Sequence, residues 1–211
     1  MRYAYATGSM ANAIASVEIV EAGSCAGVLS FFGSAGLSLE QVEAAIVRLQ
    51  SSLGSKTHGY NLIHSPNEPD LENALCDLYL RRGVRLVEAS AFMSLTPSIV
   101  RYRLTGLHRG PGGHVVVPNQ IVAKVSRSEV AEKFLSPAPE SLLRELAGAG
   151  LITPQEAALA PEIPMAQDVT VEADSGGHTD NRPLISLLPA MIALRDRLQA
   201  QHRFTRPPRV G

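Results

Sequence analysis

Short apolar runs alternate along the chain with longer stretches whose apolar positions recur at helical spacing. The first run, Gly27-Val28-Leu29-Ser30-Phe31-Phe32, closes at Gly33-Ser34-Ala35-Gly36. Ser38 then reads as an N-cap with Gln41 as its capping-box partner, and Val42, Ile46 and Leu49 predict a helix over 39–53 that ends at Gly54. The second run, Tyr60-Asn61-Leu62-Ile63-His64, halts at Ser65-Pro66 and precedes a helix from about Asp70 to Arg82. The third, Val84 to Ser90, leads to Thr96-Pro97, where proline takes the first position of a helix reaching about Thr105. His114-Val115-Val116-Val117 and Pro118-Asn119 suggest a hairpin insertion over 108–120. Ile121 to Val125 is the fourth core run, and Ser126 is expected to cap a helix near 127–135. The Pro- and Ala-rich stretch 137–165 reads as a helical insertion, with patterns around 139–148 and 154–160. The fifth run covers 168–173 and the last helix about 184–200. Arg206 to Gly211 looks like the lead-in to a sixth strand that does not arrive.

Buried-type runs, each followed by a helix, imply a parallel sheet with right-handed crossovers. The expected fold class is α/β: a partial TIM (β/α)8 barrel with about the first five βα units, a β-hairpin and a helical insertion, in one incomplete domain over 1–211. A complete barrel needs ~250 residues. An open doubly wound sheet is the alternative, weakened because no Gly-x-Gly-x-x-Gly follows the first run.

Composition narrows the function classes. A 45% apolar content is that of a globular chain, and a net charge of -1 gives no electrostatic case for a nucleic-acid partner. Cys25 and Cys76 make neither a disulfide framework nor a metal cluster, which points to a reduced, cytoplasmic setting; both are read as buried small hydrophobes. No apolar run approaches the ~20 residues of a membrane span, and Met1-Arg2-Tyr3-Ala4 lacks the apolar core of a signal peptide. His108 and His114 have no acid or cysteine at ligand spacing, so no metal site is expected. Gly110 to Gly113 is a turn and not a phosphate loop, since Gly-Lys-Ser/Thr is absent.

The densest candidate chemistry lies at Val169 to Pro183. A β-branched run stops at Asp174-Ser175-Gly176-Gly177-His178, with Asp180, Asn181 and Arg182 beside it. Two glycines at a strand end admit a flat or phosphorylated ligand close to the backbone, and His178 adds a titratable imidazole at the rim. Carboxyl ends of parallel strands are where such folds bind ligands. The competing reading is a tight turn with a solvated histidine. Lys124, between Ala123 and Val125, is costly to bury without a partner and otherwise snorkels to the strand end.

These residues carry a resemblance. Asn12-Ala13-Ile14-Ala15-Ser16, Phe31 to Gly36, Asn61 to Pro66, Ala123 to Ser126 and Glu172 to Pro183 occur in order, and the chain resembles the PfaD-type trans-acting enoyl reductases of polyunsaturated fatty acid and polyketide synthases. These are relatives of nitronate monooxygenase (2-nitropropane dioxygenase). The resemblance implies an FMN-dependent barrel that reduces the α,β-double bond of enoyl thioesters on acyl carrier protein, with NADPH as hydride source. It implies that His178 handles the proton beside the flavin, and that Gly176 and Gly177 approach the ring or phosphate. Lys124 would face the flavin N1–O2 edge, and Asn61 either its pyrimidine edge or only loop backbone. Met10, Ala11 and Asn12 would pack on the ring. His64 reads as a rim histidine, and Glu172 as a structural acid binding Arg182 or a helix N-terminus. In that family, sequence beyond Gly211 supplies much of the phosphate site. The chain is therefore expected to dimerise or to need a C-terminal half. A nitronate-type flavin oxygenase and a non-catalytic half-barrel with an assembly role are the alternatives.

Overall fold

The computed structural model describes residues 2–174 and 180–211. They form two compact units, 1–89 and 90–211.

The first unit opens with β1 (Ala6–Thr7) and α1 (Val17–Ala26), both additional to the sequence expectation. Ser16 caps α1 by accepting from the Ile19 N–H, and Gly27 ends it at φ 84°. Next come β2 (Leu29–Phe32) and α2 (Leu39–Leu53), whose bounds match the expected helix. The Ser38–Gln41 capping box is formed in both directions, at 3.3 and 2.9 Å. Val42, Ala45, Ile46, Leu49 and Leu53 make its buried stripe. Full burial of a side chain such as Ile46 or Leu49 stabilises by about 1.5–3 kcal/mol. β3 (Gly59–Ile63), α3 (Pro69–Arg81) and β4 (Leu86–Ser90) complete the unit. Its strands lie in the order β1-β2-β3-β4, with β1–β2 and β2–β3 parallel. Phe32, Tyr60 and Tyr79 pack as an aromatic cluster with centroids 6.3 and 5.8 Å apart.

The second unit begins with α4 (Pro97–Leu104), capped by Thr96. The expected hairpin is β5 (His108–Arg109) antiparallel to β6 (Val115–Val116). β7 (Gln120–Val125), α5 (Ser128–Leu135), α6 (Glu140–Gly148), α7 (Pro154–Leu159), β8 (Asp168–Val171) and α8 (Leu184–His202) follow. The sixth strand does arrive: β9 (Arg209–Val210) pairs parallel with β8, and Arg209 forks onto Asp168 at 2.5 and 2.8 Å. Ser126 is not the cap of α5. The helix starts a residue later, with Arg127 at the N-cap and no side-chain cap bond.

Arg103 of α4 staples this unit internally. It is 2% exposed and donates to the carbonyls of Pro164 (3.2 and 3.1 Å) and Asn119 (2.9 Å) and to Gln167 Oε1 (3.0 Å). Burial pulls its pKa down to about 10, so the guanidinium stays charged at neutral pH. Cys76 is buried, but Cys25 is exposed. Val20 and Ser24 form the buried side of α1, and Cys25, one residue on, turns about 100° away from it. No helix among the described residues is long and apolar enough to cross a membrane. No cluster of three or more His, Cys, Asp or Glu suited to a metal occurs among them either.

Candidate active site

In the first unit the site residues gather where β1, β2, β3 and β4 end. The segment after β1 doubles back over the end of β2. Asn12 N–H donates to the Ala35 carbonyl at 2.7 Å, Ala13 N–H to Gly33 at 3.0 Å, and Gly33 N–H to Ala15 at 3.0 Å. Asn12 and Ala13 sit at φ 55° and 54°, a left-handed pair costing about 1–3 kcal/mol each for non-glycine residues. Gly33 is what permits the approach, since a Cβ there would overlap the Met10 carbonyl. A Cβ on Gly36 would meet the Asn12 amide oxygen. Met10, Ala11 and Asn12 thus form an exposed ledge on a tightly bonded base.

Beneath the ledge lies a buried polar layer. Glu88, 3% exposed, accepts from the Ser9 N–H at 2.8 Å and from the Ser9 hydroxyl. Asn61, also 3% exposed, donates its side-chain amide to the Glu88 carbonyl at 3.3 Å. The Asn61 carbonyl accepts from Ser34 Oγ and the Tyr79 hydroxyl, each at 2.6 Å. Burial raises the Tyr79 and Tyr60 pKa values, so both phenols remain protonated donors. The Asn61 side chain thus ties β3 to the backbone of strand β4. His64 is partly buried and pairs with the nearly buried Glu72 at 2.6 Å. Its neighbourhood is a cleft of about 430 Å³ between the β2–α2 and β3–α3 loops, lined in part by Ser34, Leu37, Val42, Ile63 and Glu72.

In the second unit Lys124 lies near the carboxyl end of β7, one-fifth exposed, 3.2 Å from Glu172 just beyond β8. The parallel register of β7 and β8 makes this pair, setting Lys124 beside Thr170 and Val125 beside Val171. Glu172, expected to bind Arg182 or a helix N-terminus, forms an ion pair with Lys124. Asp180 forks onto Arg127 at 2.9 and 3.1 Å, a hydrogen bond that also raises the Arg127 pKa. His178, Gly176 and Gly177 lie outside the described residues. Their described flanks, Glu172 and Asp180, are each held to the β7–α5 segment by an ion pair.

Sequence reading passed over Ser9 and Glu88. A charged residue inside the apolar run Val84 to Ser90 is the same signal that drew attention to Lys124.

No protein-family model matches the chain. It is 49% identical over 212 residues to the polyketide biosynthesis protein PksE of Bacillus subtilis (strain 168), covering all of this chain and 28% of that protein. It is 48% identical over 204 residues to a polyunsaturated fatty acid synthase subunit of Thraustochytrium sp., covering 97% of this chain and 14% of that one. The enoyl reductase domain of MlnA, from the macrolactin biosynthesis cluster of Bacillus amyloliquefaciens, matches with a TM-score of 0.95 at 36% identity, over all of this chain and 48% of that one. The chain thus spans less than half the length of each of these relatives. The fold class is α/β, with the strand–helix succession of a partial (β/α)8 barrel. With these relatives matched along nearly its whole length, the chain belongs to the PfaD-type enoyl reductase family of polyunsaturated fatty acid and polyketide synthases.

Proposed function

We propose that the chain is part of an FMN-dependent, trans-acting enoyl reductase that uses NADPH to reduce the α,β-double bond of enoyl thioesters on acyl carrier protein. The observation that carries this reading is the whole-length match to the MlnA enoyl reductase domain. Each unit, taken by itself, offers groups of a kind that suits a flavin. Met10 and Ala11 offer an exposed ledge, brought onto β2 where a Cβ on Gly33 has no room. Lys124 offers a cation of the kind that stabilises a reduced ring. Bound FMN would supply hydride transfer from NADPH to the β-carbon of the substrate.

The chain's own residues do the rest. Lys124 presents its side chain at the strand end, held there by Glu172 at 3.2 Å. Asn61 braces β3 against β4 and would be the residue to hydrogen-bond the pyrimidine edge of a flavin. His178 delivers the proton to the α-carbon, a task suited to an ordinary histidine pKa of ~6.5. Gly176 and Gly177 give the ligand close access to backbone. A reduced, cytoplasmic setting is the proposed location.

The test is titration of the purified chain with FMN, followed by NADPH oxidation with and without an enoyl thioester on carrier protein. Retained flavin and thioester-dependent oxidation support the reading. Nitronate oxidation without NADPH identifies a flavin oxygenase instead, and failure to retain FMN favours the assembly role.

A further inference from the structure

We propose that Glu88 is a positioning residue for the flavin, acting through Ser9 on the Met10–Asn12 ledge; this rests on the flavin reading above. Its carboxylate is buried in the middle of β4, between the apolar Val87 and Ala89. A buried carboxylate is expensive to keep without donors. Glu88 has two from one residue, the N–H and the hydroxyl of Ser9. That residue lies 79 positions away in sequence, so the contact joins the middle of β4 to the segment leaving β1.

The segment it joins carries two consecutive strained residues. Directly after Ser9 and Met10 the backbone runs through Asn12 and Ala13 in left-handed conformations that non-glycine residues avoid. Such strain persists only where surrounding contacts over-determine it. Here the contacts come from opposite ends: Glu88 grips Ser9 at the entry, and Ala35 and Gly33 accept from Asn12 and Ala13 at the exit. Between the two anchors Met10 is 44% exposed, an apolar side chain held out from a rigid base. A buried grip under an exposed apolar ledge, at the carboxyl ends of parallel strands, is an arrangement for setting a flat ligand's height and tilt. The grip itself never touches the ligand.

The experiment compares the unaltered chain with Ser9→Ala, Glu88→Gln and the double variant. Two readouts are used: FMN affinity by fluorescence titration, and amide hydrogen exchange at Asn12 and Ala13. Exchange requires no flavin and reports the ledge directly. Both Ser9 donors converge on one Glu88 oxygen, so Glu88→Gln keeps the side-chain shape but replaces a charged acceptor by a weaker neutral one, testing the grip even if a larger change unfolds the chain. The expected result is exchange at Asn12 and Ala13 faster by tenfold or more in each single variant. FMN binding weakens about tenfold, and the double variant is no worse than the worse single one, as for two halves of one contact. Unchanged exchange overturns the grip. Faster exchange with unchanged FMN affinity, or additive losses in the double variant, overturns the positioning role. Absence of FMN binding by the unaltered chain overturns the flavin reading and this role with it, while exchange still decides the grip separately.

Discussion

Replacing Gly33 by alanine tests whether the ledge is a built feature. The new Cβ would stand 2.7 Å from the Met10 carbonyl carbon and 3.3 Å from its nitrogen, and would overlap the carbonyl oxygen. These are backbone atoms, so no side chain can swing away, and the ledge must move off β2. Three backbone hydrogen bonds lie in the path of that movement: Ala13 to Gly33, Gly33 to Ala15, and Ala15 to Met10 at 3.4 Å. At about 0.5–1.5 kcal/mol each, their loss costs about 1.5–4.5 kcal/mol. Loss of glycine's freedom in the unfolded chain returns about 0.4–1 kcal/mol. The net expectation is destabilisation of about 1–4 kcal/mol, or a Tm lower by several degrees in a chain of this size. Gly148→Ala is the matched control: it sits in α6 with nothing within 4 Å of the added carbon. It should be neutral or stabilising by up to about 1 kcal/mol. Thermal melts of the two variants, with FMN titration of each, are the assay. A Gly33→Ala chain as stable as Gly148→Ala, with undiminished FMN affinity, refutes the reasoning.

Other consequences follow from the same geometry. Lys124→Met should weaken FMN binding about tenfold while shifting Tm little, because the partly exposed Glu172 it leaves behind can take up water; an equal loss of Tm and affinity contradicts the cation's role. Arg103→Ala strips donors from the Pro164 and Asn119 carbonyls and should cost about 2–5 kcal/mol in a urea melt; a cost below about 1 kcal/mol contradicts the staple. Tyr60 and Tyr79 have folded pKa values raised by burial, so their contribution is intact below the ordinary tyrosine value near ~10. As pH climbs past that value the unfolded phenols ionise first, stability falls, and Tyr79→Phe should make the fall shallower.

Legibility in the sequence followed the range of the interactions. Helix α2 was readable because cap and stripe are all local: Ser38 with Gln41, and Val42, Ile46 and Leu49 at helical spacing. Helix α1 was hidden because its inner side is Val20 and the polar Ser24, while Ile19 faces outward. Cys25 lies off that inner side and is exposed. Strands β1 and β9 have two residues each, too short to show any alternation. Lys124 stood out as a charge in an apolar run, yet its partner Glu172 is fixed only by the β7–β8 register. Glu88 likewise shows as a charge in an apolar run, but its partner Ser9 lies 79 positions away and nothing local names it.

The central claim is hydride transfer to a carrier-bound enoyl group. Its most direct test is mass spectrometry of an enoyl thioester on acyl carrier protein after incubation with the chain, FMN and NADPH. The predicted product is heavier by two hydrogens, with deuterium at the β-carbon when the NADPH is deuterated at its transferable position and the flavin N5 hydrogen is protected from exchange. An unreduced thioester in the presence of demonstrably bound FMN would contradict it.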